Sequence, residues 1–258
     1  MSKSDLIYPF LFPLILVSLF LFFTPSEAKD WSQRFYLATY PRSGNHWMRY
    51  LIEDATHIAT SSVYPDADPP HLYDPFPWEA FSTDGGYRGD SRYPRPNEPF
   101  IVKTHYPALG RRSFDRKPYV AVIRIVRHPI DSLYSWYVYK HRNEELQPTI
   151  PRDHLVHMVN AWKRFQDYWD RQPRVLTIRY EDMLGDVEAC LKQTLSKVGY
   201  KYTRGDLEYA VENNQPRGGI LKHLNHFTSD DLHYIQEELG PLMKRYNYTM
   251  TAIGAADN

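Results

Sequence analysis

Residues 35–49 read FYLATYPRSGNHWMR. An apolar run, FYLAT, breaks at a turn-forming Pro-Arg-Ser-Gly and continues into a stretch with apolar groups at helical spacing (Trp47, Tyr50, Leu51, Ile58). A strand, a glycine-bearing turn and a helix make a generic cradle for an anion, because backbone N–H groups and the helix dipole favour negative charge there. Arg42, Ser43, Asn45 and His46 all donate hydrogen bonds, and Arg42 adds fixed charge. The NTPase version of this loop, GxxxxGK[ST], is not met: no lysine follows Gly44 and no second glycine stands at that spacing. The stretch predicts a strand over 35–39, a loop over 40–45 and a helix over 46–58. It points to a nucleotide phosphate held without a metal. An ordinary strand-to-helix turn is the plain alternative.

The segments that follow add to the first reading, with a Lys–His pair facing solvent and an ion-paired Arg127 as their own plain alternatives. Residues 100–103 are a second apolar stretch, and the Lys103 and His105 of KTH lie two apart, on one side of an extended chain. At the carboxyl end of a strand in an open α/β sheet they face the usual ligand crevice. A histidine there takes a proton from a hydroxyl near neutral pH, and the lysine stabilises charge on the transferred group. Residues 119–126, YVAVIRIV, are β-branched and continuous, which suits a strand of a parallel sheet buried on both faces. Arg127 ends that strand, Pro129 opens a helix through Tyr139, and Ser135 lies two turns in. Arg127 and Ser135 can face one anion. Arg124, inside the strand, calls for a carboxylate partner.

Further along, residues 154–171, 182–198, 206–213 and 229–245 have helical patterning, and 174–178 returns to strand. Strands alternating with helices predict an α/β fold: a single P-loop-like domain over 33–250, with a central, mostly parallel sheet flanked by helices. Residues 59–99 break the alternation. They are rich in Pro, Asp, Gly and Tyr, and read as a long irregular excursion with one short helix near Trp78.

The chain has 258 residues and a formal net charge of zero, which argues against a general nucleic-acid binder. Any anion site is therefore local. A single cysteine, Cys190, excludes an intrachain disulfide and a cysteine-based metal site, and reads as a small buried apolar residue. Residues 6–23 form one uncharged apolar run, interrupted by Pro9 and Pro13, with the small residues Ser26 and Ala28 after it. Residues 1–28 read as a cleaved signal peptide, or else as a membrane anchor through 6–23. Either reading predicts a secretory location, in the Golgi or ER lumen or outside the cell. Asn247-Tyr248-Thr249 is then a glycosylation sequon.

Taken together, YPRSGNHW, KTH, VRHPIDSLYSW and RYEDM stand in an order that resembles the sulfotransferase family, whose members use 3′-phosphoadenosine 5′-phosphosulfate (PAPS). The resemblance covers roughly residues 35–245. It implies that His105 is the catalytic base and that Lys103 and Arg42 act on the transferring group. Arg42 replaces the lysine of the usual YPKSGTTW loop, as in carbohydrate-type members. Ser43 lies in that loop, Gly44 is the close-approach glycine, and Asn45 and His46 stand where two threonines bind the 5′-phosphate. Trp47 matches the tryptophan that stacks on adenine, and Tyr180 matches a nucleotide-contacting tyrosine. Arg127 and Ser135 match the pair that grips the 3′-phosphate. The family's RKGxxGDWK block is reduced here to NQPRGG, so Arg217 and Gly219 carry its closing role.

No metal is implied. Residues 211–214, VENN, lean toward the Golgi branch that acts on sugars. The implied partners are the nucleotide donor and a small-molecule or glycan acceptor, with no nucleic acid. Tyr64, Tyr73, Trp78, Tyr87 and Tyr93, together with residues 137–152, are the expected acceptor wall. They serve equally well as anchors that pack the long loop down. Two rivals stay open: a P-loop kinase or nucleotidase, and a nucleotide-binding relative that has lost activity.

Overall fold

A computed structural model describes residues 33–64, 91–95, 97–109, 118–145, 148–216 and 218–250. Five strands form one sheet: β1 (Arg34–Thr39), β2 (Ser61–Ser62), β3 (Phe100–Thr104), β4 (Ala121–Val126) and β5 (Val175–Arg179). Their order is β2-β3-β1-β4-β5, and every pairing is parallel. All residues of β1, β3 and β4 are buried, as a parallel sheet covered on both faces requires.

Helices supply both covers: α1 (Asn45–Thr56), α2 (Pro129–Lys140), α3 (Arg152–Asp170), α4 (Tyr180–Gly185), α5 (Val187–Val198), α6 (Arg204–Asn213) and α7 (Ser229–Arg245). The period-two alternation of β1 divides the core. Tyr36 and Ala38 pack with Leu133, Leu155, Trp162, Phe165 and Ile235 on one face. Phe35 and Leu37 pack with Met48, Leu51, Ile52, Leu191 and Leu207 on the other. Cys190 is buried in this second cluster, where burial raises its thiol to about 11.

The α/β architecture agrees with the sequence reading, with local differences that have physical causes. The first helix ends at Thr56 rather than Ile58. His57 adopts φ 55° and donates its N–H to Glu53 O, closing the helix. Ile58 is then free of helical pairing and forms a parallel bridge with Arg92. Within the expected irregular excursion, Ser61 and Ser62 add an edge strand to β3. Two polar residues carry no strand signal, and only the neighbouring strand creates it.

The single helix expected over 182–198 is two. Asp186 breaks it, with φ −147°, and its carboxylate accepts from Ala189 N–H to cap α5. Arg124 finds its carboxylate, Asp170, at 2.8 Å. The expected leader over 1–28 and the short helix near Trp78 lie outside the described residues.

Candidate active site

β1 lies between β3 and β4, so their carboxyl ends stand side by side. The loop 40–44 leaves β1, Lys103 lies near the end of β3 with His105 just beyond it, and Arg127 follows β4. The chain turns to opposite sides of β1 at this point, the switch where open α/β sheets bind ligands. A cavity of about 750 Å³ opens here, lined among others by Arg42, Lys103, His105 and Arg127. Among the described residues that line it, none is Asp or Glu. A site of fixed positive charges selects an anion.

The loop after β1 is held in a form only its sequence permits. Arg42 and Gly44 have φ 65° and 96°. A Cβ at residue 44 would sit 2.7 Å from Tyr180 Cδ2, so glycine is required twice over. The loop then opens α1, whose N-terminus has no side-chain cap; the N–H groups and dipole of a helix start favour an anion. Arg42 Nε donates to Ser135 Oγ at 3.1 Å, across 93 residues of sequence. Its guanidinium lies 5.2 Å from the Tyr139 ring centroid. Burial, then the Arg127 charge, lowers the Arg42 pKa, but an arginine keeps its proton.

Arg127 donates to Arg42 O at 2.8 Å, and its guanidinium stacks 4.5 Å from the Tyr180 ring centroid. Arg127 Nε and Ser43 Oγ are buried donors with no hydrogen-bond partner among the described residues. Buried donors are ordinarily satisfied, so the unpaired donor of Arg127, which lines the cavity, fits a bound anion.

His105 is oriented by β1. Its Nδ1 lies 2.8 Å from Thr39 O and 3.1 Å from Thr39 Oγ1. A carbonyl oxygen only accepts, so Nδ1 carries the proton in the neutral ring and Nε2 is the basic nitrogen. The imidazole stacks on Tyr64 (5.4 Å, 24°), whose hydroxyl accepts the His105 N–H. Lys103 is buried, with Nζ 5.8 Å from the Tyr64 ring centroid.

The family model for the sulfotransferase domain matches residues 32–216. The chain belongs to this family. Similar curated proteins include cytosolic sulfotransferase 14 of Arabidopsis thaliana, 24% identical over 197 residues, covering 68% of this chain and 56% of that protein. Cytosolic sulfotransferase 15 of the same plant is 25% identical over 206 residues, covering 72% and 54%. The chain thus spans little more than half the length of these two. Sulfotransferase 1A1 of Mus musculus is 22% identical over 227 residues, covering 83% and 76%.

Among solved structures, mouse sulfotransferase SULT7A1 complexed with PAP shares the fold, with TM-score 0.57, 19% identity and coverage of 84% and 88%. A retinol dehydratase in complex with retinol and PAP gives 0.52, 14%, and 83% and 82%. The Arabidopsis relatives are cytosolic by name, which corrects the secretory location expected above. That expectation rested on the apolar run 6–23, and hydropathy reports a segment's aversion to water rather than a destination. Among the described residues no helix is long and apolar enough to cross a membrane.

Within the sulfotransferase domain, the expected site residues divide by position. Arg42, Gly44, Asn45, His46, Trp47, Lys103, His105, Arg127, Ser135 and Tyr180 all line the cavity. Ser43, in the same loop, is buried and does not line the cavity, nor does Gly219, while Gly218 does. Gly218 passes directly over the Tyr180 hydroxyl, which a Cβ there would strike. Arg217 lies outside the described residues.

Trp47 meets Tyr180 edge-on (5.6 Å, 70°), and its Nε1 donates to Asn214 O at 2.6 Å. Asn214 in turn donates to Asp54 at 2.6 Å, which ties the end of α6 to α1 and fixes this wall. Tyr64 and Tyr139, both within the segments expected to build the acceptor wall, line the cavity, and Trp136 lies there too. Tyr93 does not line it, and Tyr73, Trp78 and Tyr87 lie outside the described residues. Sequence reading passed over Tyr50, Leu109 and Lys222, which reach the cavity only through tertiary placement. No group of three or more His, Cys, Asp or Glu gathers into a metal site among the described residues.

Proposed function

We propose that this chain transfers a sulfuryl group from PAPS to an acceptor hydroxyl. One observation carries the reading: the loop after β1, the Lys103–His105 pair and Arg127 meet in one cationic cavity. Arg127 and Ser135 hold the 3′-phosphate, and the α1 N-terminus with Ser43, Asn45 and His46 holds the 5′-phosphate. Trp47 stacks on the adenine, and Tyr180 contacts the nucleotide.

His105 Nε2 takes the acceptor proton as the acceptor oxygen bonds to sulfur. The bond from sulfur to the 5′-phosphate oxygen breaks, and adenosine 3′,5′-bisphosphate leaves. Arg42 and Lys103 stabilise the negative charge gathering on that oxygen, as cations do in phosphoryl transfer.

Tyr64, Trp136 and Tyr139 line the same cavity as His105. They favour an acceptor with a face that stacks, a sugar ring or another small cyclic alcohol. The retinol dehydratase holds retinol, a non-sugar alcohol, in the same fold, so both classes belong in the assay.

The full chain is incubated with PAPS labelled in its sulfate, a panel of sugar and non-sugar hydroxyl acceptors, and with or without EDTA. Label should pass to at least one acceptor, unaffected by EDTA. Magnesium-dependent turnover of ATP without sulfate transfer would favour the kinase rival. Tight nucleotide binding with no transfer to any acceptor would favour an inactive relative.

A further inference from the structure

Lys222 lines the cavity that holds Arg42, His105 and Arg127. The turn that carries it is built with unusual care. Leu221 has φ 51°, a left-handed backbone that leucine rarely adopts and that persists only where the surroundings enforce it. The enforcing group is Asp131, fully buried on the first turn of α2. One carboxylate oxygen accepts from Leu221 N–H at 2.7 Å, the other from His223 N–H at 3.3 Å. The two amides flanking Lys222 are therefore tied to one carboxylate. The His223 and His226 rings lie 4.9 and 3.9 Å from Tyr134, pinning the turn from its far side.

This clamp fixes where Lys222 stands. Asp131 and Ser135 are four apart in α2 and share a helix face, and Arg127 lies between β4 and that helix. The turn gripped by Asp131 thus lies alongside Ser135 and Arg127. The His223 imidazole registers the same crowding: burial, then the charges of Lys222 and Arg127, hold it down to about 4. An exposed turn has no need of a buried carboxylate clamp or a left-handed leucine. A turn that must keep a cation at a fixed place over a binding site does.

We infer that Lys222 is a further anion-binding residue of the donor site, acting with Arg127 and Ser135 on the 3′-phosphate, and that Asp131 is the positioning residue that holds it there. The inference rests on reading the cavity as a PAPS site. Asp131 touches no ligand in this account; it acts through the backbone on either side of Lys222.

The test compares binding of adenosine 3′,5′-bisphosphate and adenosine 5′-monophosphate to the full chain by calorimetry at low salt. Lys222→Ala removes an exposed side chain, so the fold should persist. Its affinity for the bisphosphate should fall by about tenfold to a hundredfold, as expected for a lost charge-assisted hydrogen bond. Affinity for the monophosphate should stay the same, and Lys222→Arg should restore most of the loss. Asp131→Asn should show the same selectivity, and in the Lys222→Ala background it should add no further selective loss. Unchanged bisphosphate affinity in Lys222→Ala, or equal losses for both ligands, overturns the inference while leaving the donor-site reading standing. Failure of the wild type to bind the bisphosphate overturns both.

Discussion

Arg127 donates a hydrogen bond to the main-chain oxygen of Arg42 at 2.8 Å, joining residues 85 apart in sequence. The cation that follows β4 thereby braces the loop that follows β1, which itself carries a left-handed arginine. One guanidinium sets the loop conformation and faces the cavity the loop encloses.

Arg127→Ala should therefore weaken binding of adenosine 3′,5′-bisphosphate by about tenfold to a hundredfold, and of the 5′-monophosphate much less. The smaller loss reflects the brace, the larger one the direct contact. Calorimetry with both ligands checks it, and equal losses would contradict the assignment to the 3′-phosphate.

His105→Ala should lower the transfer rate by about two to four powers of ten while leaving nucleotide affinity near the wild-type value. The imidazole is held by Thr39 and Tyr64, neither of which is assigned to the nucleotide, so its removal should spare the donor site. Wild-type turnover in the variant would remove His105 from the role of base.

Stability should depend on pH through His128. This residue is buried at the start of α2, where its Nε2 lies 3.0 Å from Thr249 O and its Nδ1 accepts from Ile130 N–H. Burial lowers its pKa from the ordinary 6.5 to about 4. Between these values the unfolded chain binds a proton that the folded chain refuses. Stability therefore falls as the pH drops through that window, by up to about 3 kcal/mol. Glu181, which accepts the His128 N–H, opposes this. Burial raises its carboxyl, so the folded state gains there as the pH drops. Comparison with His128→Gln isolates the histidine: the urea midpoint of the variant should change less between pH 6.5 and 4. Identical pH slopes for the two proteins would exclude the effect.

The Arg124–Asp170 pair yields an asymmetric prediction. Asp170 also accepts from Tyr246 at 2.8 Å and from Arg245. Arg124, almost fully buried, keeps no carboxylate partner among the described residues if Asp170 loses its charge, just the neutral Gln166 O, Thr177 Oγ1 and the Tyr246 ring. Asp170→Asn should cost about 3 kcal/mol by stranding a buried charge. Arg124→Met should cost less, about 1–2 kcal/mol, because the carboxylate retains partners. Urea unfolding of both variants decides it, and the reverse ranking would refute the argument.

Residue types and spacing already determined the α/β class and picked out the turn at 40–45 and the residues Lys103, His105, Arg127 and Ser135 that line the cavity, because these signals are local. An apolar run, a glycine that must adopt positive φ, and a proline opening a helix act within a few residues. Tertiary structure decided what depends on neighbours remote in sequence. Ser61 and Ser62 become a strand only because β3 lies beside them. His105 acquires its tautomer from Thr39, and Lys222 is carried to the cavity by a carboxylate 91 positions earlier in the chain. The parallel order β3-β1-β4 brings distant strand ends together, and no period in the sequence encodes which ends will meet.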